Sequence, residues 1–214
     1  DRYFGPLTNP ATPIPRVTEV EPPRTKPAHY RETGPNVPLP AVALTWLAPS
    51  ARSKDAAALQ IAAAILGHGE SSRMNQALVY RGEIAQTASF GADLRVDTGL
   101  LIAYAIAASG HTPAELAKAL RAQIRQLADK PVPAAELAKI KTQLVTQALV
   151  DRQTPLGKAM ALGEAALVQG DVRRVNEEIA ELQAVTAADV QRVVRKELID
   201  APEVTIEYAQ EAKS

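Results

Sequence analysis

From residue 41 onward the chain switches between two hydrophobic periods, and each switch marks an element. Ala41 to Leu47 has period two, with Val42, Leu44 and Trp46 pointing one way, so that side is expected to be core. After Pro49 comes the alanine-rich run Ser53 to Leu66, which predicts a mostly buried helix with Ser53 at its N-cap and Asp55 in its positive first turn. Gly67 and Gly69 are placed to close that helix in the left-handed conformation. Ser71 or Ser72 is then positioned to cap a second helix, from about Ser72 to Tyr80, that stops at Gly82.

Two adjacent strands follow. In the first, over Ala85 to Arg95, Ala88, Phe90, Ala92 and Leu94 alternate with Thr87, Ser89, Gly91, Asp93 and Arg95, so one side is apolar and the other polar or small. In the next, Leu100, Ile102, Tyr104 and Ile106 alternate with Leu101, Ala103, Ala105 and Ala107, and the larger set is expected to meet the helices. A sheet covered on one side and open on the other is indicated. The fold class is therefore α+β, a mainly antiparallel sheet with helices packed on one face.

Thr112-Pro113-Ala114-Glu115 has capping-box spacing with proline at the first helical position, and Leu116, Leu120, Ile124 and Leu127 form an apolar stripe behind it. Pro131 and Pro133 break the chain before an amphipathic helix marked by Leu137, Ile140 and Leu144. Thr154-Pro155 opens the next, in which Gly157 and Gly163 would let a neighbouring helix come close. Asp171 opens a further helical run, and Thr186 to Asp189 repeats the capping-box spacing. Val204, Ile206 and Tyr208 alternate with Thr205 and Glu207 as a terminal strand.

Residues 1–40 differ from the rest. Pro10, Pro13, Pro15, Pro22, Pro23 and Pro27 forbid a continuous helix or a central strand, so 1–40 is expected to be a proline-rich linker with an edge strand over Ala28 to Thr33. Residues 41–214 then form one domain. Asp1-Arg2-Tyr3 shows neither an initiator Met nor a signal-peptide pattern, which suggests a fragment of a longer protein.

Composition narrows the function. Lys plus Arg equals Asp plus Glu at 24 each, so no net field draws the chain toward nucleic acid or an acidic membrane surface. There is no cysteine, which removes disulfides, thiolate metal sites and a thiol nucleophile. The longest apolar run, Leu100 to Ala108, is far short of the roughly 20 residues that span a bilayer. His29, His68 and His111 are far apart in sequence, and none has a second histidine at helical spacing. Gly69-Glu70-Ser71-Ser72-Arg73 lacks the second glycine of a nucleophile elbow, and Gly67-x-Gly69 lacks the third glycine of a dinucleotide fingerprint. Glu177, Glu178 and Glu181 beside Arg173 and Arg174 read as a solvated face of helix-spaced ion pairs. No catalytic residue and no metal ligand is assigned.

Leu66-Gly-x-Gly-x-Ser-Ser-Arg-Met74, with Tyr3-Phe4-Gly5-Pro6-Leu7 before it and Val185-Thr-Ala-Ala-Asp-Val-Gln-Arg-Val193 after it, resembles the M16 zinc metallopeptidases, the pitrilysin and mitochondrial processing peptidase family. The likeness is to the second, non-zinc half of an M16 pair, and it implies the LuxS/MPP-like metallohydrolase fold. It also implies zinc in a partner catalytic domain carrying His-x-x-Glu-His, in the same chain or in a separate subunit, an unfolded peptide as substrate, and a periplasmic setting in bacterial members. In that family the non-zinc half supplies an Arg and a Tyr seven residues apart to the opposing active site. Here Val79 and Gln86 stand at those positions, so the candidate contacts with the substrate chamber are Tyr80, Arg81 and Gln86. Two other functions stay open: a structural assembly module of the same fold without proteolysis, like the core subunits of respiratory complexes, and a stand-alone peptide-binding domain.

Overall fold

The computed structural model describes residues 2–211 apart from 4, 9–11, 14, 16 and 17. Phe4 of the Tyr3-to-Leu7 motif and Pro10 of the proline series thus lie outside the described residues. Five strands, β1 (Ala28–Gly34), β2 (Ala41–Ala48), β3 (Ala85–Asp93), β4 (Gly99–Ala107) and β5 (Val204–Gln210), form one sheet in the order β1-β5-β2-β4-β3. Every neighbouring pair is antiparallel except β1 with β5. Among the described residues no helix or strand precedes Ala28, as the prolines require, and β1 occupies the expected sheet edge.

Six α-helices, α1 (Ala56–Gly67), α2 (Pro113–Asp129), α3 (Ala134–Asp151), α4 (Pro155–Leu167), α5 (Glu178–Ala184) and α6 (Ala187–Val194), are joined by shorter helical turns at Asn75–Tyr80, Val172–Asn176 and Arg195–Ile199. The core lies between the sheet and this helical layer. Leu116, Leu120, Ile124 and Leu127 of α2 are buried there, as their spacing predicts, against Leu44 and Trp46 of β2 and Leu101 of β4. Both capping boxes form: the Thr112 side chain accepts from Glu115 N–H while the Glu115 carboxylate accepts from Thr112 N–H, and Thr186 and Asp189 repeat the exchange.

The sidedness of β4 corrects the expectation. Leu101, Ala103, Ala105 and Ala107 face the helices, all fully buried, while Leu100, Ile102 and Ile106 are half-buried and Tyr104 is exposed on the other side. Volume explains the choice. The small residues of β4 stand next to Leu44 and Trp46 of β2 in the register, so the bulk of the core comes from β2 and from the helices, and alanines let α2 approach closely.

The glycine corner departs from expectation in two respects. Only Gly69 is left-handed, at φ 74°. Gly67 remains helical and is needed for closeness instead, since a methyl group there would lie 1.8 Å from the Phe90 backbone nitrogen. Neither serine caps the following turn: the Ser71 hydroxyl accepts from Lys139 Nζ, and the buried Ser72 hydroxyl has no partner among the described residues. Ser53 likewise does not cap α1, which begins at Ala56 with Asp55 at its N-cap position and no side-chain cap bond. Gly157 fits tightly, a methyl there falling 1.6 Å from the Asp151 carbonyl oxygen, whereas Gly163 has nothing within 4 Å among the described residues and brings no described helix close.

Candidate peptide-facing surface

The uncovered face of the sheet follows from the register. Ala43 pairs with Tyr104 on one side and Ile206 on the other, Thr45 with Ile102 and Val204, and Ala41 with Ile106 and Tyr208. Tyr30 lies beside Ile206 across the parallel pair β1 and β5. Pairing therefore lays Tyr30, Ile206, Ala43 and Tyr104 across four strands on one face, and Tyr30, Tyr104, Ile206 and Tyr208 are 38–56% exposed. Towards β3 this face becomes polar, with Thr87, Ser89 and Asp93 opposite Ile106, Tyr104 and Leu100. Apolar bodies with phenolic tips suit a surface that meets another chain while remaining wetted.

One side chain from outside the sheet touches this face. Arg24 lies outside any regular element, and its guanidinium donates at 3.4 Å both to the Thr45 carbonyl and to the Thr45 hydroxyl. Thr45 is thereby buried although it points away from the helices.

Tyr80, Arg81 and Gln86 sit at the end of β3 remote from Asp93. Tyr80 closes the wide helical turn Asn75–Tyr80 and is 52% exposed, Arg81 follows it, and Gln86 occupies the irregularity where the β3–β4 register slips between Ala85 and Thr87. Between them Glu83 adopts a left-handed φ of 52°, a strained conformation for a non-glycine residue. Arg81 Nε donates to the Gln76 carbonyl at 3.1 Å, so this guanidinium caps its own helical turn.

The three histidines remain apart. His29 on β1 lies 3.3 Å from Glu207, His111 lies 3.4 Å from Glu115 before α2, and His68 is exposed at the end of α1. Among the described residues no three His, Cys, Asp or Glu side chains converge as a metal centre requires, so the donor set does not fit zinc. No described helix is long and apolar enough to cross a membrane. The acidic cluster is partitioned into ion pairs: Arg174 meets Glu177 at 3.0 Å and Glu181 at 2.7 Å, Arg152 meets Glu178, and Arg173 meets Asp171.

A further charged group escapes sequence reasoning. Asp55, with its side chain only 4% exposed, accepts from Arg192 at 2.8 Å and from Lys196 at 3.4 Å, tying the start of α1 to α6 and the turn after it. Burial alone would raise its pKa, but the hydrogen bonds and charges of Arg192 and Lys196 outweigh that and hold the carboxyl below its ordinary value. The partners lie 137 and 141 residues away, beyond any local pattern.

Residues 1–144 match the family described as the peptidase M16 inactive domain. The chain superposes on a protease from Helicobacter pylori with a TM-score of 0.91 at 22% identity, over 97% of this chain and 50% of that one, a likeness of fold. The inactive peptidase domain of a candidate zinc protease from Bordetella parapertussis gives a TM-score of 0.72 at 26% identity, over 84% and 94% of the two chains. In sequence, the chain is 27% identical over 212 residues to the mitochondrial cytochrome b-c1 complex subunit 1 of Caenorhabditis elegans, covering 94% of this chain and 44% of that protein. This chain spans less than half the length of that curated relative.

Proposed function

The chain belongs to the peptidase M16 inactive domain family, and on that premise we propose that it is the non-catalytic domain of an M16-type zinc metallopeptidase. It packs against a His-x-x-Glu-His domain and closes a chamber around an unfolded peptide. The observation that carries this reading is the uncovered sheet face, with Tyr30, Tyr104, Ile206 and Tyr208 turned away from the core. A face of this kind binds extended peptides by stacking and apolar contact with few demands on sequence, as a chamber wall must. Zinc belongs to the partner, where three protein ligands would leave a position for the attacking water. Residues 1–40 serve as linker and edge strand, and 41–214 as the domain proper.

Tyr80, Arg81 and Gln86 remain the chain's nearest candidates for a direct contact with the substrate. Valine at 79 offers no donor, and the Arg81 guanidinium is engaged by Gln76, so the domain contributes shape and backbone contacts in preference to a charge at the scissile bond. In the assembled enzyme, Arg81→Ala is expected to leave turnover of a quenched peptide within about threefold; a loss of about 100-fold with assembly intact would place Arg81 in the active site.

A structural assembly module is the second reading, favoured by the 27% identity to a cytochrome b-c1 complex subunit. Peptide hydrolysis separates the two. The chain alone should be inactive, and adding the His-x-x-Glu-His domain should produce chelator-sensitive cleavage. A stable pair that cleaves nothing supports the structural module, and chelator-insensitive hydrolysis by this chain alone contradicts both.

A further inference from the structure

Helix α4 has thirteen residues, most of them apolar, and Ala165 alone among them is buried. Leu156, Met160 and Leu167 are 73%, 67% and 77% exposed. Their spacing of four and then seven residues sets them in one row along the helix, and Gly163 falls in the same row. The space over Gly163 is open. An outward row of large, large, glycine, large is the reverse of what a surface helix normally shows to water.

The helix is nevertheless held in place. Arg52 Nε donates to the Val168 carbonyl at 2.9 Å, Thr154 caps the first turn by accepting from Gly157 N–H, and Gly157 itself presses on the end of α3. The row is therefore presented by a capped helix tied to Arg52 and to the end of α3. It also lies with the helical layer, sharing a cavity with Gln60 of α1 and Ala148 of α3, and next to the Val172–Asn176 turn. A peptide lying on the sheet would leave it bare.

We infer that the row Leu156, Met160, Gly163 and Leu167 is the docking surface for an amphipathic helix of the companion M16 domain. This rests on the pairing proposed above and deepens it by naming the contact. The length of the relatives supplies the occupant: the Helicobacter pylori protease matches this fold over only 50% of its chain, and the Caenorhabditis elegans protein over 44%, so in each a stretch at least as long accompanies the matched part. The geometry supplies the chemistry. A notch at Gly163 between large apolar neighbours accepts one protruding side chain of a crossing helix, in the manner of ridges set into grooves.

The test uses the purified chain, the His-x-x-Glu-His domain and the double variant Met160→Glu, Leu167→Glu. Both side chains are exposed, so the variant should fold with the wild-type melting temperature, and Tyr104→Ser on the sheet face serves as control. Calorimetric titration should show the double variant binding the companion roughly tenfold or more weakly, with the control close to wild type. Amide exchange over residues 155–168 should slow when the wild-type pair forms. If the wild type pairs but the variant stays within about twofold, or α4 exchange does not change, the pairing stands and this contact is wrong. If the wild type does not pair at all, the functional reading falls and this inference with it. A wild type that dimerises by itself while the variant is monomeric assigns the row to a second copy and overturns the companion-domain assignment.

Discussion

An added methyl at Gly67 would land 1.8 Å from the backbone nitrogen of Phe90, whereas at Gly163 it would meet nothing within 4 Å. The sequence reads Gly67 as closing a helix and Gly163 as admitting a neighbouring one, and only neighbours remote in the chain show that the close approach is at Gly67. Gly67→Ala is expected to destabilise the chain by about 3 kcal/mol, because the end of α1 must lift from β3. Gly163→Ala should stabilise it by about 0.5–1 kcal/mol, through the lower flexibility of the unfolded chain. Urea unfolding of the two variants checks this, and equal effects would contradict the close approach at Gly67. Asp55 makes a second prediction at this scale. Its carboxyl titrates below 3.8 in the folded chain, so the stabilisation by Arg192 and Lys196 is full above that value and is lost as pH falls through the lowered folded value. Asp55→Asn should therefore cost about 1.5–3 kcal/mol at pH 7, and the gap from wild type should narrow on acidification below about pH 4. A gap that is constant down to pH 2.5 would show that the carboxylate's charge is not what Arg192 and Lys196 bind.

Elements with a chemical signature were legible in advance. The boxes at Thr112/Glu115 and Thr186/Asp189, the stripe from Leu116 to Leu127 and the alternation of β2, β4 and β5 state their own geometry, because each depends on residues within one or two turns. What the sequence hides is which side of an alternating strand meets which neighbour. In β4 both sides are apolar, and size was a poor guide, since Leu44, Trp46 and the helices fill the core and leave room on β4 for alanine. The candidate site was hidden for the same reason: Tyr104 and Ile206 look like core residues until the register places them outside. A pair of substitutions tests that sidedness. Ala103→Leu should destabilise by about 1–3 kcal/mol by overpacking against the helices, and Tyr104→Ser by less than about 1 kcal/mol. The reverse order in thermal unfolding would restore the large side chains to the core.

At the scale of the whole molecule, among the described residues the sheet face and the row on α4 both carry large apolar side chains exposed to water. On the proposed reading the first faces the peptide and the second the companion domain. The ion pairs of Asp55 with Arg192 and of Arg121 with Glu203 tie elements of the domain to one another and belong to neither surface. The most direct measurement is the cleavage of a quenched, unstructured peptide by the assembled pair with Tyr104→Asp and Ile206→Asp on the sheet face. If that face holds the peptide, KM should rise by roughly tenfold while kcat stays within about twofold, because the substitutions remove binding that ground state and transition state share. An unchanged KM, in a pair that assembles as tightly as wild type, would contradict the account.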